Sequence, residues 1–345
     1  MNIYLDTNIL FADPFFKSSF SELLLKSSSD NSINIFIPNI CLNELFFKLK
    51  DKARLLDIET KNKIRELNKW TNSSFRDIEF NLKDYEKQIE QFYKEKIENN
   101  TFIQLKYQPQ YFTENLEKAI KGIAPFFTDK KEEFRDSLIW STVREHSFLN
   151  KTSKNYFLTL NYADFWNSEK TDLHPNLKKE SNEITIVESI KKLFEIETSL
   201  IDFKKSQEFK SWLDKQSLTI DSIQKSLNQY LWNHIADNID DKIKKYSIKN
   251  IKPKYEMGYV VPDILKENFK IQKIEKIIPV ENFATLELST TLSFDGKLFF
   301  PNYEKGDFSN YESLQFIALI TLVLSYDKDL VFEPISIAVN KIEVE

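Results

Sequence analysis

Met1-Asn-Ile-Tyr-Leu-Asp-Thr-Asn-Ile-Leu-Phe-Ala-Asp13 opens the chain, and the fold can be read outward from it. Ile3, Tyr4 and Leu5 form a short apolar, β-favouring run, as a buried parallel strand would. Asp6 follows at once, then Thr7 and Asn8, whose side chains can orient a neighbouring carboxylate. Ile9 to Ala12 continue as the start of a helix. An acid at the carboxyl end of a strand in an open α/β sheet lies where such folds place their ligands. Asp is equally a common turn former and helix cap, so Asp6 by itself decides nothing. Its meaning depends on whether other acids occupy matching places further along.

They do. Phe15 to Lys26 has helical spacing, Ser27 to Ser32 is a polar loop, and Ile33-Asn-Ile-Phe-Ile-Pro38 predicts a second strand closed by Pro38. Asn39 is placed to cap the helix that follows, where Leu42, Leu45, Phe46, Leu49, Ala53 and Leu56 recur at helical intervals. Glu44 sits in the first turns of that helix, on the face opposite those apolar residues and together with Lys48. From Lys48 to Asn100 the chain is helical and charged, punctuated at Thr71-Asn-Ser-Ser74; residues 48–69 carry eight Lys or Arg against four acids. Phe102 to Tyr107 predicts a short strand and Tyr111 to Lys121 a helix. Asp129 with Glu132 has the spacing of a capping box before a helix over Lys130–Leu149, which places Asp136, flanked by Arg135 and Ser137, in its early turns. Asn155 to Leu160 predicts a strand, with Asn161 and Asp164 just past its end; Ile184 to Val187 is a further strand, and Glu188 to Phe194 begins a helix.

Strands alternating with helices predict a parallel α/β sheet over residues 1–198. Beyond that the pattern changes: two helices over 200–250, then an antiparallel sheet from Thr285–Phe294, Lys297–Phe300, Ile317–Tyr326 and Ile335–Val344. Turn signals fall at Phe294-Asp-Gly296, Lys305-Gly-Asp307 and Tyr326-Asp-Lys328. The expected fold class is therefore α/β followed by a C-terminal α+β domain, with the boundary near residue 200 (1–198 and 199–345) and a helical insert over about 48–122.

Composition narrows the chemistry. Apolar residues make up 41% of 345, ample for a core, and the four glycines form neither a dinucleotide nor a P-loop cradle. The single cysteine, Cys41, excludes an intramolecular disulfide and fits a reducing cytoplasm. His146, His174 and His234 are scattered, so a metal here would take oxygen ligands. No span is apolar enough for a membrane and no signal core is evident, so a soluble, cytoplasmic protein is expected. With a net charge of −5, any contact with nucleic acid must be local or helped by bound cations.

In a parallel sheet, strand ends and the starts of the following helices share one edge, so Asp6, Glu44, Asp136 and Asp164 can converge. Converging carboxylates repel one another unless a cation neutralises them. Mg²⁺ or Mn²⁺ would serve, and two such ions about 4 Å apart can activate a water and stabilise the leaving oxygen of a phosphodiester.

The ordered pieces Leu5-Asp-Thr-Asn-Ile9, Ile37-Pro-Asn-Ile-Cys-Leu-Asn-Glu-Leu45, Phe134-Arg-Asp-Ser-Leu-Ile139 and Thr159-Leu-Asn-Tyr-Ala-Asp-Phe165 resemble a PIN domain, the metal-dependent nuclease fold related to FLAP and 5′ nucleases. The long insert, with Ala124-Pro-Phe-Phe before the third acid, resembles a bacterial PIN-like subfamily. The resemblance covers a little over half the chain. It implies that Asp6, Glu44, Asp136 and Asp164 are the catalytic, metal-binding acids, supported by Thr7, Asn8 and Asn161. Lys48, Lys52 and Arg135 are the candidate phosphate contacts; helical geometry points Arg135 away from its neighbour Asp136. The implied activity is an endoribonuclease using Mg²⁺ or Mn²⁺, in a toxin-antitoxin or phage-defence context. The alternatives are a non-catalytic RNA- or protein-binding module and a DNA flap-type nuclease. Residues 199–345 are expected to select substrate, bind a protein partner or mediate self-association.

Overall fold

Asn2–Leu5 (β1) is buried at every position, as a strand covered on both faces must be. It lies at the centre of a five-stranded sheet with Asn34–Pro38 (β2), Phe102–Leu105 (β3), Asn155–Leu158 (β4) and Ile184–Val187 (β5). The order is β3-β2-β1-β4-β5 and every pairing is parallel. The computed structural model describes residues 1–345 apart from 31, 72–74, 76–79, 127–132, 217, 228, 254–256, 303–306, 330 and 345. Its described residues divide into two compact units, Met1–Leu200 and Ile201–Glu345.

The helices of the first unit are Thr7–Ala12 (α1), Ser19–Ser29 (α2), Asn39–Trp70 (α3), Leu82–Glu98 (α4), Tyr111–Lys121 (α5), Glu133–Leu149 (α6), Pro175–Glu180 (α7) and Ile190–Ile196 (α8). The chain builds outward from β1 to β2 and β3, then returns to add β4 and β5 on the other side of β1. The carboxyl ends of β1 and β4 therefore flank the point where strand order reverses, the place where open α/β sheets bind ligands. Leu5 is in register with Leu158, so the residues that follow each strand, Asp6 and Thr159, are neighbours.

Several expectations need correction. The helix expected over Phe15–Lys26 begins only at Ser19. The Asp13 carboxylate accepts from the backbone N–H of Lys17 (2.9 Å) and Ser18 (2.8 Å), and Phe16 adopts φ 52°, so a side-chain-closed turn replaces the first helical turn. The same helix runs on through Ser27–Ser29, where a loop was expected, because Ser27 and Ser29 donate back to Leu23 O and Leu25 O. Asn39 does not cap α3: it is the first helical residue, Pro38 holds the cap position, and Asn39 Oδ1 is buried without a partner. The Asp129–Glu132 capping box lies outside the described residues.

In the second unit the expected two helices are four: Phe203–Leu213 (α9), Ile220–Ser226 (α10), Gln229–Lys244 (α11) and Ile248–Ile251 (α12). The strands are Tyr259–Asp263 (β6), Phe269–Val280 (β7), Phe283–Asn302 (β8), Asp307–Asp327 (β9) and Phe332–Val344 (β10). They form one antiparallel sheet, β10-β9-β8-β6, with β7 paired to the earlier stretch of β8. Phe209, Ile235 and Ile239 of the helices share a buried core with Leu288, Leu298 and Phe316 of the sheet. Phe294-Asp-Gly296 is not a turn, because β8 runs straight through it. A Cβ at Gly296 would lie 3.1 Å from Phe316 Cε2 and 3.2 Å from Val261 O, so this glycine serves close packing, not reversal. The Tyr326-Asp-Lys328 turn is present, closed by the Asp327 carboxylate accepting from Asp329 N and Val331 N. Lys305 and Gly306 lie outside the described residues. Among the described residues no helix is long and apolar enough to cross a membrane.

Candidate active site

β1 ends at Leu5, and Asp6 caps α1 by accepting from Thr7 N at 2.7 Å. Its carboxylate is 3% exposed and is held from every side. Oδ2 accepts from Asn8 Nδ2 (2.7 Å) and Thr159 Oγ1 (2.5 Å), and Cys41 Sγ lies 3.8 Å from Oδ1. Thr159 in turn accepts from Asn8 Nδ2 (3.2 Å) and from the backbone N–H of Asn161 (3.0 Å). Asn8 Oδ1 accepts from Leu160 N at 2.9 Å, so Asn8 and Thr159 pin the ends of β1 and β4 together. Burial raises the Asp6 pKa against these hydrogen bonds, and the charge of Glu44 adds to the rise. Burial, followed by the Asp6 charge, pushes the Cys41 thiol well up.

Glu44 projects from the second turn of α3 with its side chain 9% exposed. Oε2 accepts from Thr7 Oγ1 at 2.7 Å, which ties it to the Asp6 turn. Oε1 takes two cations, Lys48 Nζ at 2.7 Å and Arg135 Nη1 at 2.9 Å. Asp136, one residue further along α6, has its pKa pushed up to about 7. Burial is the largest cause, followed by the negative charges of Asp6 and Asp164; Arg135 opposes the rise and Glu44 adds to it. Asp164, beyond the end of β4, is 7% exposed.

Asp6, Glu44, Asp136 and Asp164 are thus brought within each other's fields at the switch point of the sheet. A donor set of carboxylates that oppose each other's ionisation suits a hard divalent cation by its chemistry. As arranged, no group of three or more His, Cys, Asp or Glu among the described residues is close enough to hold a metal ion, and Glu44 is taken up by its two cations.

Thr7 and Asn8 stand as supports of Glu44 and Asp6. Asn161 contributes its backbone N–H to Thr159. Lys48 reaches the site through Glu44. Arg135 also reaches it, bonding Glu44 across the gap between α6 and α3. Lys52 is exposed two turns beyond Glu44, and among the described residues no contact joins it to the acids. Sequence reasoning missed Thr159 and Cys41. The strand expected over Asn155–Leu160 hid Thr159, because aligning its end with Leu5 sets Asn161 beside Asp6, whereas β4 ends at Leu158 and puts Thr159 there.

A family model described as a PIN domain matches residues 3–165, a span that ends just past Asp164 and so includes all four acids. No curated protein and no solved structure matches the chain.

Proposed function

From a PIN domain that carries four acids at one sheet edge, we propose that the protein is a metal-dependent endoribonuclease. The observation that carries the reading is Asp136, whose pKa is pushed up to about 7 by burial and three other acids. So much opposed negative charge at the carboxyl edge of the sheet is destabilising by itself and useful to a cation. When bound, Mg²⁺ or Mn²⁺ supplies the positive charge that activates a water and stabilises the leaving oxygen of a phosphodiester. Asp6, Glu44, Asp136 and Asp164 would hold it. Thr7, Asn8 and Thr159 fix the acids' orientation, as groups behind metal ligands do. Lys48, Lys52 and Arg135 would contact substrate phosphate. Attack of water on phosphorus with breakage of the P–O3′ bond would leave a 5′-phosphate and release O3′ as a 3′-hydroxyl. Residues 201–345 would choose the substrate, bind a partner or join copies of the chain, in a toxin-antitoxin or phage-defence setting inside the cell.

The test is incubation of the full chain with total RNA and Mn²⁺, followed by sequencing of new 5′-phosphate ends. The wild type should create discrete ends, whereas Asp6→Asn, with unchanged circular dichroism, should create none. Full cleavage by Asp6→Asn would sink the assignment, and cleavage of DNA alone in a parallel arm would move it to a DNA nuclease. One observation favours a second reading. Glu44 is already neutralised by Lys48 and Arg135, as a platform that binds RNA or protein without metal would need. Absence of divalent-ion binding by calorimetry would select that reading.

A further inference from the structure

We propose that Lys48 and Arg135 form a cationic latch on Glu44 that a divalent ion must displace, and that the displaced side chains then hold the substrate phosphate. The inference rests on the metal-dependent reading above and adds an order of events to it.

Both cations share one oxygen. Lys48 Nζ and Arg135 Nη1 lie 2.7 and 2.9 Å from Glu44 Oε1, while Oε2 is taken by Thr7 at 2.7 Å. A metal ligand must offer that lone-pair density to the ion, so latch and ion compete for the same atom. Exposure indicates which partner moves. The Glu44 side chain is 9% exposed and held by Thr7, whereas Lys48 is 45% and Arg135 36% exposed, with long stems open to solvent. The acid stays and the cations swing away.

Charge balance points the same way. Four carboxylates, ionised as a bound ion would hold them, and two cations sum to a net charge of two minus. A divalent ion cancels it, and the two cations, no longer paired to Glu44 Oε1, are left next to the reacting centre. A phosphodiester anion is the group they would then neutralise, with the Arg135 guanidinium able to grip two of its oxygens. Because occupancy of Oε1 by latch and by ion is mutually exclusive, metal and phosphate binding should be positively coupled.

The test uses the full chain, Mn²⁺ titration calorimetry, and a phosphorothioate oligoribonucleotide that resists cleavage. Removing a competing cation should tighten Mn²⁺ binding roughly 3- to 30-fold in Lys48→Gln and Arg135→Gln, while Lys94→Gln, exposed on α4 and paired with Glu98, stays within about twofold. Arg135→Lys, which keeps the charge, should stay near the wild type. Mn²⁺ should strengthen oligonucleotide binding more in the wild type than in Arg135→Gln. The Arg135 Nε–Hε resonance should shift on Mg²⁺ addition as its ion pair opens. Mn²⁺ binding to the wild type that is unchanged or weakened in both Gln variants would overturn the latch and leave the nuclease reading standing. Mn²⁺ binding to neither wild type nor Arg135→Gln would overturn the nuclease reading itself, and the latch with it.

Discussion

Thr159 shows how much of the site rests on a residue with no charge. Its hydroxyl donates to Asp6 Oδ2, accepts from Asn8 and Asn161, and is fully buried. Thr159→Val keeps the shape and leaves a buried carboxylate oxygen and two donors short of a partner. That should cost roughly 1 to 3 kcal/mol in urea unfolding and reduce cleavage, and Thr159→Ser should recover most of both. Asp136 gives the pH dependence. Its folded pKa is raised to about 7 from 3.8, so between those values the folded chain holds a proton that the unfolded chain has released. Stability of the metal-free protein from this group is therefore greatest at low pH and falls as pH rises through that window. Melting temperature measured from pH 5 to 8 should decline in the wild type and decline less in Asp136→Asn. The same proton competes with metal, so Mn²⁺ affinity should drop by up to about tenfold per pH unit below 7.

At the scale of elements, the parallel half of the chain was legible because its signals are local and strong. The buried runs at β1, β4 and β5 and the helical spacing of α3 and α5 all formed. The four acids were legible for the same reason: each falls just after a strand or early in a helix, and topology does the gathering. Contacts that cross between elements were not legible. The Arg135–Glu44 pair depends on how closely α6 approaches α3, and neighbour-based helical geometry gives no hint of it. In the second unit a glycine misled, since Gly296 marks contact with Phe316 and not a turn. Gly258 is the glycine whose backbone matters there. It has φ 152°, and a Cβ would lie 2.3 Å from Phe299 O and 2.4 Å from Ile248 Cδ1. Gly258→Ala should therefore lower unfolding free energy by at least about 2 kcal/mol. Gly122→Ala meets no atom within 4 Å at φ 60° and should cost only about 1 kcal/mol of backbone strain. Denaturant melts of the two variants side by side check the contrast.

For the whole molecule, each unit has its own buried core, the first around β1 and β4 and the second between α9–α12 and their sheet. Fragments 1–200 and 201–345 should each fold when expressed separately, and divalent-ion binding by calorimetry should stay entirely with 1–200. A fragment 1–200 that folds and binds no ion would contradict that placement. Cys41 makes the same division measurable in the intact, unaltered chain. It is the one cysteine present, it is fully buried beside Asp6, and its thiol is held protonated. An alkylating mass tag can react only when the acid-bearing half of the molecule opens. Its labelling rate is thus a built-in clock for that half, blind to the sheet of residues 259–344, and Mg²⁺ should slow it if the ion locks the opening shut.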